Sequence, residues 1–229
     1  MSLIFSFVLA LSQAALAQPA PLNFPSTGIK KIEVSIPKGS ISITNSKTQK
    51  DISVSVKRKN VNDEKKCLQT IEIQDTVLVV KVASENKLFN KSDCDYIASV
   101  VVPAAHNVNL DISSGTGAIT IKDINGAMNI TTGTGNVKVS TDVLKDVNVK
   151  TGTGSLDFHY KTCSGRADID IISGTAKTTI ELPETCKIRV DYTSGVGKLF
   201  NGIGESETFD VKIKATTGTG DLSIVKSGK

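Results

Sequence analysis

A short glycine phrase returns six times in the second half of this chain. It reads Ser-Ser-Gly-Thr-Gly from residue 113, Thr-Thr-Gly-Thr-Gly from 131, Lys-Thr-Gly-Thr-Gly from 150 and Ile-Ser-Gly-Thr-Ala from 172. It returns as Thr-Ser-Gly-Val-Gly from 193 and Thr-Thr-Gly-Thr-Gly from 216. The first glycines, Gly115, Gly133, Gly152, Gly174, Gly195 and Gly218, are separated by 18, 19, 22, 21 and 23 residues. Self-similarity at about 20 residues marks an architecture of stacked repeats.

The flanks repeat with the glycines. Leu110, Met128, Val147, Ile169, Val190 and Ile213 stand five residues before them. Ile112, Ile130, Val149, Ile171, Tyr192 and Ala215 stand three before. Four residues after come Ile119, Val137, Leu156, Thr178, Leu199 and Leu222, and six after come Ile121, Val139, Phe158, Ile180, Asn201 and Ile224. Polar residues alternate with them, so each flank reads as a half-buried β-strand. Stacked copies turn each set into an apolar ladder with a spacing of about 4.8 Å. The glycines suit a corner where the backbone takes positive φ or packs against its neighbour. The expected fold is all-β, a right-handed parallel β-helix (β-solenoid) with irregular N-terminal rungs. The alternative is an antiparallel β-sandwich, which also suits short strands separated by turn signals.

Residues 1–17 carry no charged side chain, are too short to span a membrane, and end in Ala15-Leu16-Ala17. They read as a secretory signal peptide, leaving 18–229 as a single domain with no further transmembrane candidate. Within it, 30–105 reads as irregular rungs and 106–225 as regular ones. Ile32, Val34 and Ile36 alternate before a turn at Pro37-Lys38-Gly39-Ser40, and Ile41 and Ile43 alternate after it. The charged stretch 57–70 reads as an exposed loop, and 84–96 as a second polar insert. The irregular half is expected to cap one end of the stack, as repeat arrays require. Only 4% of residues are aromatic and there is no tryptophan, which argues against a large aromatic-lined pocket. The net charge of +4 is spread among interleaved acids and bases, without the basic stripe that nucleic acid requires.

Four cysteines in an exported chain point to two disulfides. Cys163 lies 11 residues after Gly152 and Cys186 lies 12 after Gly174, nearly the same place in consecutive repeats. Stacking would bring their Cα atoms to about 5 Å, within disulfide range. Cys67 then pairs with Cys94. There is no C-x-x-C, and neither His106 nor His159 lies near a cysteine pair, so no metal is expected.

Gly-Thr-Gly lacks the spacing and the following helix of a phosphate-binding loop. The calcium β-roll nonapeptide is also missing, Gly220-Asp221 being a lone match. His159 reads as a solvent-facing strand residue and His106 as part of a turn. Asp168 and Asp170 alternate in one strand, and Asp170 is expected to stack on Asp191. Clustered carboxylates on a β-helix are the machinery of a polysaccharide-cleaving enzyme, but these read as solubilising side chains. No catalytic residue and no cofactor are expected. The most repetitive polar feature is a pair of hydroxyl columns. Ser114, Thr132, Thr151, Ser173, Ser194 and Thr217 precede the first glycine, and Thr116, Thr134, Thr153, Thr175 and Thr219 follow it. Such hydroxyls either hydrogen-bond along the corner or offer a lattice to a polysaccharide. The bend at the glycine argues against the flat face that ice requires.

Repeated [ST]-[ST]-G-[ST]-G-x-[IV]-x-[IV] units behind a signal peptide, with Val100-Val101-Val102-Pro103 and Val108-Asn109-Leu110 leading in, resemble the bacterial family called "putative adhesins" with β-strand repeats, a domain of unknown function. The resemblance covers about residues 30–225 and is strongest over 100–225. It implies an exported β-helical protein of adhesive or envelope role and brings no catalytic residues. Ala176 and Val196 depart from the phrase and are expected to interrupt a continuous face.

The sequence therefore leads to an exported, non-enzymatic binding protein, an adhesin offering Thr116, Thr134, Thr153, Thr175 and Thr219 to polysaccharide or a cell-surface partner. A structural envelope protein and a polysaccharide-acting enzyme on the same scaffold are the alternatives. Periplasm, outer-membrane surface and extracellular space all fit. Self-association through the open end of the stack is a further expectation.

Overall fold

The computed structural model describes residues 20–60, 67–84, 94–163 and 165–228. The expected signal peptide lies outside them. The described residues form sixteen strands in one hydrogen-bonded sheet. The repeat region contributes β7 (Asn109–Thr116), β8 (Ile119–Lys122), β9 (Met128–Thr134), β10 (Val137–Val143), β11 (Val147–Thr162) and β12 (Ala167–Leu182). It ends with β13 (Ile188–Val196), β14 (Leu199–Asn201), β15 (Val211–Thr219) and β16 (Leu222–Lys226). Before it run β1 (Leu22–Phe24), β2 (Lys31–Ser46), β3 (Ile52–Asn60), β4 (Cys67–Gln74), β5 (Val77–Ser84) and β6 (Asp95–Pro103).

The expected columns form in register. Leu110 pairs with Met128, Met128 with Val147, and Val147 with Ile169. Ile112, Ile130, Val149 and Ile171 form the next column, and Ile121, Val139, Phe158 and Ile180 the column beyond the corner. All twelve are buried, while Asn129, Asn148 and Lys138 between them are exposed. Period-two alternation thus sends one side of each of these repeat strands into a common core.

The architecture, however, is not the expected right-handed β-helix. Parallel pairing runs β2–β7–β9–β11 on one side of the glycine corner and β2–β8–β10–β11 on the other. The 16-residue strands β2 and β11 pass through the corner unbroken and belong to both sides. They close a ring of six parallel strands, a barrel whose interior is filled by the columns, with the other strands outside it. The expected turn at 37–40 is therefore a bend within β2. The antiparallel sandwich does not form either: antiparallel pairing is confined to β1–β3, β3–β6 and β4–β5 among the described residues.

Nor do the repeats follow one another in space. Strands β15 and β16 insert beside β12, which pushes the earlier β13 and β14 to the outside. Strands β1, β3 and β6 of the N-terminal segment stand at one end of the strand order, and β5 and β6 join β2, which is itself a barrel strand. The described parts of 57–70 and 84–96 are largely strand, ending β3, opening β4 and opening β6, not loop. Residues 61–66 and 85–93 lie outside the described chain.

Close backbone approach explains the glycines. A Cβ on Gly152 would lie 2.4 Å from the Gly133 carbonyl oxygen of the adjacent strand. One on Gly117, whose φ is +135°, would lie 1.7 Å from the Gly39 carbonyl oxygen. Only hydrogen fits at these two positions, and glycine recurs at the corner in the neighbouring copies, with Ala176 in place of the second glycine on β12. Both disulfides form as expected, Cys67–Cys94 with Cα atoms 5.9 Å apart and Cys163–Cys186 with 5.7 Å. The second joins the segments leaving β11 and β12, which are neighbours. No helix among the described residues is long and apolar enough to cross a membrane.

Candidate functional site

The two hydroxyl columns flanking the first glycine have opposite fates. Ser114, Thr132, Thr151, Ser173 and Thr217 point into the protein and are buried. Thr217 Oγ1 donates to the Thr219 carbonyl at 3.2 Å, but Ser114, Thr132, Thr151, Ser173 and Ser194 hydroxyls have no hydrogen-bond partner among the described residues. Hydrogen bonding from one hydroxyl to the next along the corner, one reading of the sequence, is not seen. Strands repeat at about 4.8 Å, and a hydroxyl pair bonds at about 2.8 Å.

Beyond the glycine the bend reverses the face. Thr116, Thr134, Thr153, Thr175 and Thr219 are all exposed. They are lateral neighbours in the order Thr116–Thr134–Thr153–Thr175–Thr219. Lys38 continues the row at one end and Val196 at the other. No hydrogen bond engages these five hydroxyls among the described residues. Four strand spacings put the outer two about 19 Å apart. Neither departure from the phrase interrupts the row. Ala176 is buried, 3% exposed, and Val196 lies on the outermost strand. Had β13 followed β12 directly, Val196 would have separated Thr175 from Thr219.

The carboxylate cluster does not assemble. Strand β15 places Lys214 between Asp170 and Asp191, and Lys212 beside Asp168. Lys212 Nζ lies 3.5 Å from Asp191. His159 faces solvent as expected, but its Nδ1 sits 2.8 Å from Glu181 Oε2 on the next strand, with Ser140 laterally on its other side. The one-dimensional pattern hid this pairing because Glu181 and Ser140 belong to other repeats. No hydrogen bond joins Ser140 Oγ to the ring among the described residues. His106 closes a turn, its amide bonded to the Pro103 carbonyl. No group of three metal-ligating side chains is found among the described residues.

No family model matches the sequence, and no curated protein matches it. Solved structures do. A "putative cell adhesion protein" from Clostridium sporogenes ATCC 15579 superposes with a TM-score of 0.55 at 15% identity, covering 90% of this chain and all (100%) of that one. A "putative adhesin" from Bacteroides fragilis NCTC 9343 gives 0.49 at 14% identity over 90% of this chain and 96% of that one. A "putative lipid binding protein" from Parabacteroides distasonis ATCC 8503 gives 0.34 at 13% identity. At such identities the likeness is one of fold, and it is the clostridial protein that carries it.

Proposed function

We propose that this is an exported, non-enzymatic binding protein, an adhesin that holds polysaccharide or a cell-surface partner on its threonine ladder. The observation behind the reading is the unbroken exposed row from Thr116 to Thr219. Each threonine is both donor and acceptor, and its methyl offers an apolar contact. Regular spacing on a rigid sheet favours a repetitive ligand, since each further contact after the first is intramolecular. Two disulfides support export, because such links persist in oxidising compartments. The name of the clostridial structure agrees with adhesion.

The test is retention of the protein on immobilised polysaccharides, peptidoglycan and intact cells, with released sugar ends assayed in parallel. Retention without release, weakened stepwise by Thr134→Val and Thr153→Val, is expected. Release of sugar ends, or retention indifferent to both substitutions, would overturn the reading.

A further inference from the structure

A cleft of about 540 Å³ lies away from the ladder, where the chain segments leading into the barrel strands meet. Lys30 immediately precedes β2, Asn109 opens β7, Asn125 lies ahead of β9, Lys145 and Asp146 precede β11, and Arg166 precedes β12. Those strands are neighbours in the order β2–β7–β9–β11–β12, so the cleft crosses five consecutive strand starts, about 19 Å of sheet.

Its floor is fixed by the sheet. Asn109 N donates to the Lys30 carbonyl at 3.0 Å, and Leu110 N and Met128 N donate to the Ala127 and Asp146 carbonyls at 2.9 Å. Gly126 keeps the floor open to its neighbour: a Cβ there would lie 2.0 Å from the Val108 carbonyl oxygen. The polar lining is oriented as well. Asn109 Oδ1 accepts from Ala127 N at 3.0 Å, which leaves its amide N–H groups as donors to the cleft. Asp146 Oδ1 accepts from Asp168 N at 3.0 Å, which fixes the carboxylate at the edge of the sheet, and its single negative charge is outnumbered by the cations of the lining.

Three cations remain. Lys30, Lys145 and Arg166 are exposed and have no ion-pair partner among the described residues. The Arg166 guanidinium carbon lies over the Phe209 ring, 5.3 Å from its centroid, a cation–π contact that restrains the group, and a guanidinium can make two-point contact with an oxyanion. Cations at the two ends and carboxamide donors between them match a chain of hydroxyl groups carrying repeated negative charge.

We propose that this cleft binds an acidic polysaccharide, its anionic groups held by Lys30, Lys145 and Arg166 and its hydroxyls by Asn109 and Asn125. The proposal rests on the reading of a glycan-binding protein but not on the threonine ladder. Carboxylate and phosphate share this chemistry, and the test separates them. The full-length exported protein is passed over immobilised polygalacturonate, a glycerol-phosphate teichoic acid and neutral dextran, at low and high salt. Retention on one or both acidic polymers is expected, with none on dextran through this cleft. Polygalacturonate alone identifies the carboxylate source, and teichoic acid alone the phosphate source. The double variant Lys145→Ala/Arg166→Ala should weaken retention at least tenfold, the charge-preserving Lys145→Arg should retain it, and Lys138→Ala, an exposed lysine outside the cleft, should leave it unchanged. Retention on neither acidic polymer, or equal retention of the double variant at an unchanged melting temperature, would overturn the cleft. If the threonine variants alone lose binding, the ladder stands and the cleft falls; if the charge variants alone lose it, the cleft stands and the ladder falls.

Discussion

Thr175 and Thr219 are lateral partners on adjacent parallel strands, although β13 and β14 lie between them in sequence. That pairing keeps five exposed threonines in one row and sends Val196 to its end. The position of each hydroxyl then separates binding from stability. Thr153→Val, in the middle of the row, is expected to change stability by no more than about 0.5 kcal/mol while reducing retention on the ligand. Val196→Thr should lengthen the row and raise retention. The buried Thr151→Val should leave retention intact and raise stability by about 1 kcal/mol, since it removes an unpartnered hydroxyl without changing shape. Denaturant titration alongside the retention assay reads both quantities. Equal effects at Thr151 and Thr153 would contradict the two-faced corner.

The glycine corner is testable by one methyl. Gly152→Ala would set a Cβ 2.4 Å from a backbone oxygen that belongs to the barrel and cannot step aside. The expected loss is about 2–3 kcal/mol, read as a lower urea midpoint. An unchanged midpoint would mean that the strands do not approach as closely as described.

The apolar columns can be probed with a charge. Ile130 is 1% exposed and sits between Ile112 and Val149. Ile130→Asp should cost on the order of 4 kcal/mol or more, whereas Asn129→Asp, one residue away on the outer face, should cost about 0.5 kcal/mol or less. Thermal melts of the two variants compare them directly.

Alkaline stability isolates Tyr160. Its ring stacks near Phe158, and its hydroxyl is buried without a hydrogen-bond partner. Burial pushes the phenol well above its ordinary value of 10.0. The folded state therefore retains the proton when the unfolded chain has begun to lose it. The stability associated with the neutral phenol is complete below pH 10.0 and falls above it, by up to about 1.4 kcal/mol per pH unit. Tyr160→Phe should flatten that decline and, at neutral pH, raise stability by about 1 kcal/mol. Urea midpoints between pH 8 and pH 11, chosen to span the ordinary phenol value, would show it; parallel curves for the two proteins would refute it.

The Cys163–Cys186 link closes a sequence separation of 23 residues. Replacing both cysteines by alanine should lower stability by about 3 kcal/mol without altering retention on the ligand. A reductant should lower the stability of the native protein by more than this, because it opens Cys67–Cys94 as well, and should still lower that of the variant, which keeps the Cys67–Cys94 link.

Much of this protein was legible in one dimension. Alternation around Leu110, Ile112, Ile119 and Ile121 defined which side chains go inward, and the repeat register paired Cys163 with Cys186. These are local properties, fixed by the two-residue period of a strand and by the need for hydrogen at the corner. The order of the strands was not local. Every repeat offers the same columns, so Ile213 stacks on Ile169 as well as Val190 does, and no pattern along the chain chooses between them. Tertiary structure decided that β15 lies beside β12, that β2 and β11 close a barrel, and that Lys214 separates Asp170 from Asp191. By itself the sequence determined the faces, the corner and the register. Only packing in three dimensions decided which copies became neighbours, because residues that meet across strands share no sequence proximity.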